Sequence, residues 1–422
     1  MAKLLFVLLL VAAVPAMAAP QPLEDAAEIP LEIYQADERY EAPAVLLWVP
    51  QERGVLEAER RVAEQLARAG METWLADLFA AHFEPPSRSV LERLPPDDVA
   101  NLIEYAHLET GKPVFLLASD RGAVPALRGA RAWQEANPER AGVLGGIVLM
   151  HPILYVETPD PGVEPEILPI VRATNLPVFL IQPELSPWRW RLNETVPALR
   201  EGGSDVFVLF VDGVRDRFFY RPDGEGHEHQ QARKLPWMVG QGLRLLAAVD
   251  QDAGPRAAAP VPEQRTVARA GPEERTLKPY RGDPTPPPLV LPRLEGGEMD
   301  LADYQGQVVL LNFWASWCPP CVHEMPSMQR LQDTLAEEPF TILAANMAED
   351  EATVRTFLDE KVDVDFPIVM DEKGAALQAW NVFAFPTTFV IDKAGRIRYA
   401  LFGAIDWDQP AVVEQLRALA NE

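Results

Sequence analysis

Along the chain, short apolar runs alternate with longer amphipathic stretches, the pattern of a parallel sheet covered by helices. Residues 44–49, 73–75, 114–118, 146–151, 178–182 and 206–211 read as buried strands, and residues 56–69, 97–110, 124–136, 187–201 and 236–249 as helices. Together they predict an α/β first domain over residues 25–250. Residues 251–287 change character to Ala, Arg, Glu and many Pro, running up to Pro286-Pro287-Pro288, with no apolar periodicity. Such a stretch buries too little surface to offset its ordering entropy, so it is expected as a semi-extended linker that tethers the two domains. A second domain follows over residues 288–422, in which an apolar strand at 308–313 runs into a helix reaching about residue 337. No internal repeat relates the two.

The start of the chain has its own logic. Met1, Ala2 and Lys3 form a short basic region, residues 4–14 an apolar run, and Ala16-Met17-Ala18 supplies small residues for cleavage. Residues 1–18 therefore read as a secretory signal peptide, which predicts a periplasmic protein with no stable membrane insertion after cleavage. The run is short for a bilayer span; retention as an uncleaved inner-membrane anchor is the alternative. No cysteine follows it, which excludes attachment through a lipidated cysteine.

Composition narrows the class. Hydrophobic residues make up 48% and charged residues 24%, which excludes a largely disordered chain and a multi-span membrane protein. The 38 Lys plus Arg against 63 Asp plus Glu leave a net charge of −25, and no basic cluster is present to release phosphate counterions. Nucleic acid is not an expected partner. With only two cysteines among 422 residues, the exported chain has no structural disulfides to spare.

Both cysteines lie three apart in Trp314-Ala315-Ser316-Trp317-Cys318-Pro319-Pro320-Cys321, at a strand-to-helix junction. The helix N-terminus offers unpaired N–H groups and a partial positive charge that stabilise a thiolate. Cys318 is the expected nucleophile, and Cys321, one turn inside the helix, is placed to resolve a mixed disulfide. A zinc site is the first competing reading, but it needs four ligands and there is no second cysteine pair; no metal is expected. His323 points away from the sulfurs and reads as solvated. A purely structural disulfide is the second, yet so short a loop constrains the unfolded chain little.

The segment Asn312 to Cys321, followed by Glu324-Met325-Pro326, resembles the active site of the thioredoxin superfamily, and more narrowly its periplasmic TlpA/ResA-like branch. The resemblance continues through Phe385-Pro386-Thr387-Thr388-Phe389-Val390-Ile391-Asp392 and Gly395-Arg396-Ile397, and covers roughly the last third of the chain. It implies a thioredoxin-like fold and a redox-active Cys318–Cys321 disulfide with no other cofactor. Pro386 would be cis and face the disulfide, and Glu324 would lie under the dicysteine to tune a cysteine or accept a proton. Trp314, Trp317, Phe385 and Thr387 are the implied substrate contacts, although packing alone is equally compatible with the tryptophans. Phe385 departs from the small or β-branched residue often found before that proline. The partners implied are protein disulfides or dithiols and an upstream membrane electron donor; the branch favours reduction, as in cytochrome c or metal-site maturation.

The first domain has a second recognisable skeleton. The strand at 114–118 leads into Ser119-Asp120-Arg121-Gly122 and a helix, where an α/β-hydrolase carries its nucleophile elbow. Asp120 occupies the nucleophile position, and carboxylate nucleophiles do work in relatives of that fold. The remaining constellation is poor. Trp48-Val49-Pro50-Gln51-Glu52 stands where a His-Gly oxyanion segment is expected, and Asp212-Gly213-Val214-Arg215-Asp216-Arg217-Phe218 where the catalytic histidine should follow the last strand. His227 and His229, in a Gly-rich loop, read as solvated. The fold class is therefore α/β in two domains, an α/β-hydrolase-like, mostly parallel sheet without catalysis followed by a thioredoxin-like fold. The function expected is an exported thiol–disulfide oxidoreductase with an N-terminal partner- or substrate-binding domain. The alternatives are a hydrolase using Asp120 with an accessory thioredoxin domain, and a scaffold with a vestigial dicysteine.

Overall fold

A computed structural model describes residues 29–37, 39, 42–140, 142–157, 165–221, 224, 226–250, 254–262 and 277–422. The expected signal peptide at 1–18 lies outside them. Among the described residues no helix is long and apolar enough to cross a membrane.

The first sheet contains β1 (Leu31–Tyr34), β2 (Val45–Val49), β3 (Glu72–Ala76), β4 (Val114–Ser119), β5 (Leu144–Met150), β6 (Val178–Pro183) and β7 (Val206–Val211). Their order is β1-β3-β2-β4-β5-β6-β7, with all neighbours parallel except β1, which runs antiparallel to β3 at the edge. Strands β2 to β6 are buried at every position, because helices cover both faces, so they read as continuous apolar runs rather than alternating ones. The chain builds outward from β2 to β3 and then returns across β2 to β4. That reversal creates a crevice at the carboxyl ends of β2 and β4, where ligands bind in open α/β sheets.

Local structure departs from the sequence expectation in three places. Strand β1 spans only four residues, too few to show a period of its own. The stretch expected as one helix over 187–201 divides into a 3-10 turn, Pro187–Arg191, and a helix, Leu192–Glu201. Ser186 caps the turn by accepting the Trp188 N–H, and Pro187 fits its first position. His227 and His229 lie not in a loop but on the helix Gly226–Arg233, where both are exposed.

The second sheet contains β8 (Lys278–Pro279), β11 (Val308–Trp314), β12 (Phe340–Met347), β13 (Ile368–Asp371), β14 (Thr387–Ile391) and β15 (Ile397–Phe402) in the order β13-β12-β11-β14-β15-β8. Strands β11, β12 and β13 are parallel, whereas β14 and β15 are antiparallel. A separate hairpin pairs β9 (Val290–Pro292) with β10 (Glu298–Asp300). The helix Pro319–Thr334 follows β11, and a second apolar core lies around it, with Met325, Met328, Leu331 and Trp407 buried.

The stretch read as a linker over 251–287 is partly built into both units. Arg256 donates to the Asn175 carbonyl at 2.5 Å, while the Ala257 and Ala259 carbonyls accept from Asn175 and Arg131 at 2.7 and 2.9 Å. Leu277 is buried in the second core, and Lys278–Pro279 pairs with β15. Residues 251–253 and 263–276 of that stretch lie outside the described residues. The two units also touch directly, which simple tethering did not anticipate: the indole of Trp190 packs on the second core.

Candidate active site and the elbow of the first domain

Strand β11 ends at Trp314, and the chain turns through Ala315, Ser316 and Trp317 into the helix that begins at Pro319. Glu349, after β12, fixes this turn. It accepts the Ser316 N–H at 2.7 Å, the Ser316 hydroxyl, and the Asn346 amide at 2.8 Å. Cys318 is the N-cap of the helix, its sulfur accepting the Cys321 N–H at 3.3 Å, and Pro319 and Pro320 occupy positions whose N–H would be unpaired anyway. The two cysteines are joined in a disulfide. Cys318 is 5% exposed and Cys321 fully buried, and Trp317, next to Cys318, forms an edge-to-face pair with Phe385 at a centroid distance of 5.6 Å. His323 is exposed on the helix.

Glu324, one turn further on, is 1% exposed. Asn312 donates to one carboxyl oxygen at 2.8 Å and Trp407 to the other at 3.0 Å. Burial outweighs these bonds and pushes the carboxyl up to about 7. Asn312 also donates to the Thr388 hydroxyl at 2.9 Å, so β11, β14 and the helix meet on one polar group within an apolar core. The Phe385–Pro386 bond is cis, and Pro386 is buried.

Two expected substrate contacts are corrected. Trp314 is fully buried and packs at 5.7 Å against Phe357, because its side chain alternates to the core face of β11. Thr387 is 3% exposed, and its hydroxyl donates to the Ala384 carbonyl at 2.7 Å, which ties down the proline loop instead of facing outward. Trp317 and Phe385 remain at the surface. Asn312, Glu349 and Trp407 were not anticipated; their positions are 12, 25 and 83 residues from Glu324, beyond any local period.

In the first domain, Asp120 follows β4 with a left-handed φ of +48°, the strained strand-to-helix turn of a nucleophile elbow. Gly122 makes the turn possible, since a Cβ there would sit 2.8 Å from the Pro50 carbonyl oxygen. The carboxylate is nevertheless occupied. Arg217 donates through Nε to both Asp120 oxygens at 3.1 and 3.0 Å, and the Tyr220 hydroxyl donates to the same group. His151 Nδ1 stands 3.4 Å away. Burial works to raise the Asp120 pKa, but the neighbouring His151, the Arg217 guanidinium and the Tyr220 bond together hold it well below the usual carboxylate range. Arg217 lies in the segment after β7 where a catalytic histidine was expected, and a carboxylate held this way at 2% exposure is an anchor, not a free nucleophile.

His151 was overlooked at the sequence level because it closes an apolar run. It is 1% exposed, and neither ring nitrogen has a hydrogen-bond partner. The one available signal was its place at the carboxyl end of a strand neighbouring the elbow. Neither His227 nor His229 joins this cluster through a hydrogen bond; His227 instead faces the Asp212 carbonyl at 3.0 Å.

The loop that Asp120 anchors reaches the redox centre. Arg215, clamped to buried Glu228 at 2.8 and 2.6 Å, lies over the Trp317 ring at 5.9 Å. Arg191 stacks 4.0 Å over Phe383, and Trp190 fills the space beside Gly374.

A strand, a dicysteine at a helix N-terminus and a cis-proline loop on a mixed sheet define a thioredoxin-like thiol–disulfide enzyme. The AhpC/TSA family model matches residues 282–400. The thiol-disulfide oxidoreductase ResA of Geobacillus kaustophilus is 42% identical over 121 residues, covering 29% of this chain and 69% of that protein. ResA of Halalkalibacterium halodurans is 34% identical over 165 residues, covering 39% and 85%. Among solved structures, a thiol:disulfide interchange protein of the thioredoxin family from Chlorobium tepidum is 27% identical, covering 32% of this chain and 99% of its own, with a TM-score of 0.29. StoA from Bacillus subtilis is likewise 27% identical, covering 33% and 99%, with a TM-score of 0.28. The chain belongs to the ResA-like family of thiol-disulfide oxidoreductases.

Proposed function

We propose that this protein is exported and reduces disulfides of periplasmic proteins, in the manner of cytochrome c or metal-site maturation. The observation that carries the reading is the Cys318–Cys321 disulfide at a helix N-terminus, one turn from a buried carboxyl with a pKa near neutrality. In the reduced protein the Cys318 thiolate attacks a substrate sulfur, the substrate S–S bond breaks, and its second sulfur leaves as a thiolate. Cys321 then loses its proton, with Glu324 as the acceptor, and attacks the Cys318 sulfur. This releases the second substrate thiol and forms the intramolecular disulfide, two electrons having passed to the substrate. A membrane dithiol donor restores the reduced form. Pro386 and its loop orient the substrate, and the first domain binds the partner. The signal-like segment at 1–18 supports export.

Insulin reduction with the full chain tests this. Cys318→Ser abolishes turnover if the reading holds; wild-type activity in that variant refutes it. No observation favours a hydrolase, since Asp120 is held by Arg217 and Tyr220.

A further inference from the structure

A cleft enclosing about 400 Å³ opens between the two domains. Trp317, next to Cys318, and Phe385, next to Pro386, line it on the redox side; Glu184, Arg189 and Trp190, from the segment after β6, line it on the other. We propose that Arg189 and Trp190 are specificity-determining residues of the oxidoreductase, forming the far wall of a groove for an extended, disulfide-bearing polypeptide segment with an apolar side chain beside its cysteine. This deepens the oxidoreductase reading, on which it rests, by naming the substrate class and the first-domain residues that select it.

The wall is built rather than incidental. The Arg189 guanidinium lies 4.9 Å over Trp190 and 5.5 Å over Phe210, and pairs with Glu184 at 3.3 Å. Its neighbours hold the segment against the second domain: Arg191 stacks on Phe383, and Trp190 packs so closely on Gly374 that a Cβ there would stand 2.5 Å from the indole. Cation–aromatic contacts of this kind, in several copies, fix a surface that a single one would not.

Size decides between occupants. The cleft lies toward the lower end of the range of small-ligand sites, about 300–1,000 Å³. A folded partner presents roughly 800 Å² to a standard interface and does not enter such a notch. A single extended strand, spaced about 5 Å from its neighbours, does. Chemistry decides the side chains. Arg189 and Glu184 satisfy each other, and Glu372 and Lys373 at the cleft offset in charge, so what is left to recognise is aromatic and aliphatic surface. Trp317 immediately precedes Cys318 and Phe385 immediately precedes Pro386, so a segment seated in the cleft lies against the residues that flank the nucleophile and the proline loop.

The test uses the pre-reduced full chain and two substrates in stopped flow. One is a linear decapeptide with a leucine-flanked cysteine capped by cysteamine; the other is cystamine. The ratio of the single-turnover second-order rate constant for the peptide to that for cystamine falls at least about fivefold in Trp190→Ala, through a higher half-saturating peptide concentration, and recovers in Trp190→Phe. Arg189→Gln moves the ratio the same way and stands in if Trp190→Ala does not fold. An unchanged ratio overturns the proposal, and so does a rise, which would mark the wall as a barrier to substrate. Failure of the wild-type chain to reduce cystamine would instead remove the oxidoreductase reading itself.

Discussion

Replacing Glu324 with Gln separates the electrostatic account of the redox centre from one based on packing alone. The carboxyl is pushed from an ordinary 4.5 up to about 7, chiefly by burial, against the opposing bonds from Trp407 and Asn312. At about 1.4 kcal/mol for each tenfold change in proton affinity, that difference is worth roughly 3 kcal/mol. Between pH 4.5 and 7 the folded protein keeps a proton that the unfolded chain has already released, so folding stability declines as pH rises. The contribution is fully present below about 4.5 and is lost as pH rises through 7. The new amide cannot titrate. Trp407 can still donate to the new carbonyl, and any pH-independent cost of re-pairing the amide N–H beside Asn312 cancels when two pH values are compared. Chemical unfolding of the oxidised full chain at pH 5 and pH 8 reads the effect. Relative to wild type, Glu324→Gln should gain roughly 2.5 kcal/mol on going from pH 5 to pH 8. Glu59, in the first domain, is also pushed up to about 7 by burial, but it titrates in both proteins and cancels in the difference. A gain smaller than about 1 kcal/mol would refute the reasoning. In the reduced protein the same variant loses the inflection near neutral pH and exchanges at least about tenfold more slowly.

Trp407→Phe removes the donor to Glu324 Oε2 and moves the carboxyl midpoint further upward, read by side-chain carbon NMR; a midpoint that stays or falls contradicts the hydrogen-bond account. Asp120→Asn breaks the pairing with Arg217 and destabilises the first domain by roughly 3 kcal/mol at pH 6. Because the Asp120 pKa is depressed in the folded state, its contribution is present above its ordinary 3.8 and lost as pH falls below it, so the gap between the melting temperatures of variant and wild type narrows at pH 3. Equal gaps at the two pH values would count against it. Gly374→Ala places a Cβ at a φ of +67° and against Trp190; it costs about 1–2 kcal/mol and shifts the indole, seen as a lowered melting temperature with altered tryptophan emission.

What could be read from the chain was whatever depends on neighbours a few residues apart. The apolar runs of β2 to β7 marked a mostly parallel sheet, and the dicysteine spacing placed one sulfur at a helix cap and the other a turn inside. Pro386 stood in a motif whose cis geometry the structure shares. The four-residue β1 and the division at Arg191 escaped because short elements of this kind are stabilised by pairing and capping, not by a period of their own.

Tertiary structure decided which of those residues are exposed to substrate and which charges are satisfied. Trp314 and Trp317 are alike in sequence, yet strand alternation buries the first and leaves the second beside the cleft. Asp120 had the elbow's local geometry, but its role depends on Arg217 and Tyr220, 97 and 100 residues away, which hold it as an anchor. Glu324 was visible as a carboxyl near two thiols; only burial in the second core, against the opposing bonds from Trp407 and Asn312, brings its proton affinity near neutrality. The contact of Trp190 with the second domain had no sequence signature at all. Spacing sets caps and periods because the backbone carries them. Desolvation and ion pairing arise from whichever distant segments the fold brings together.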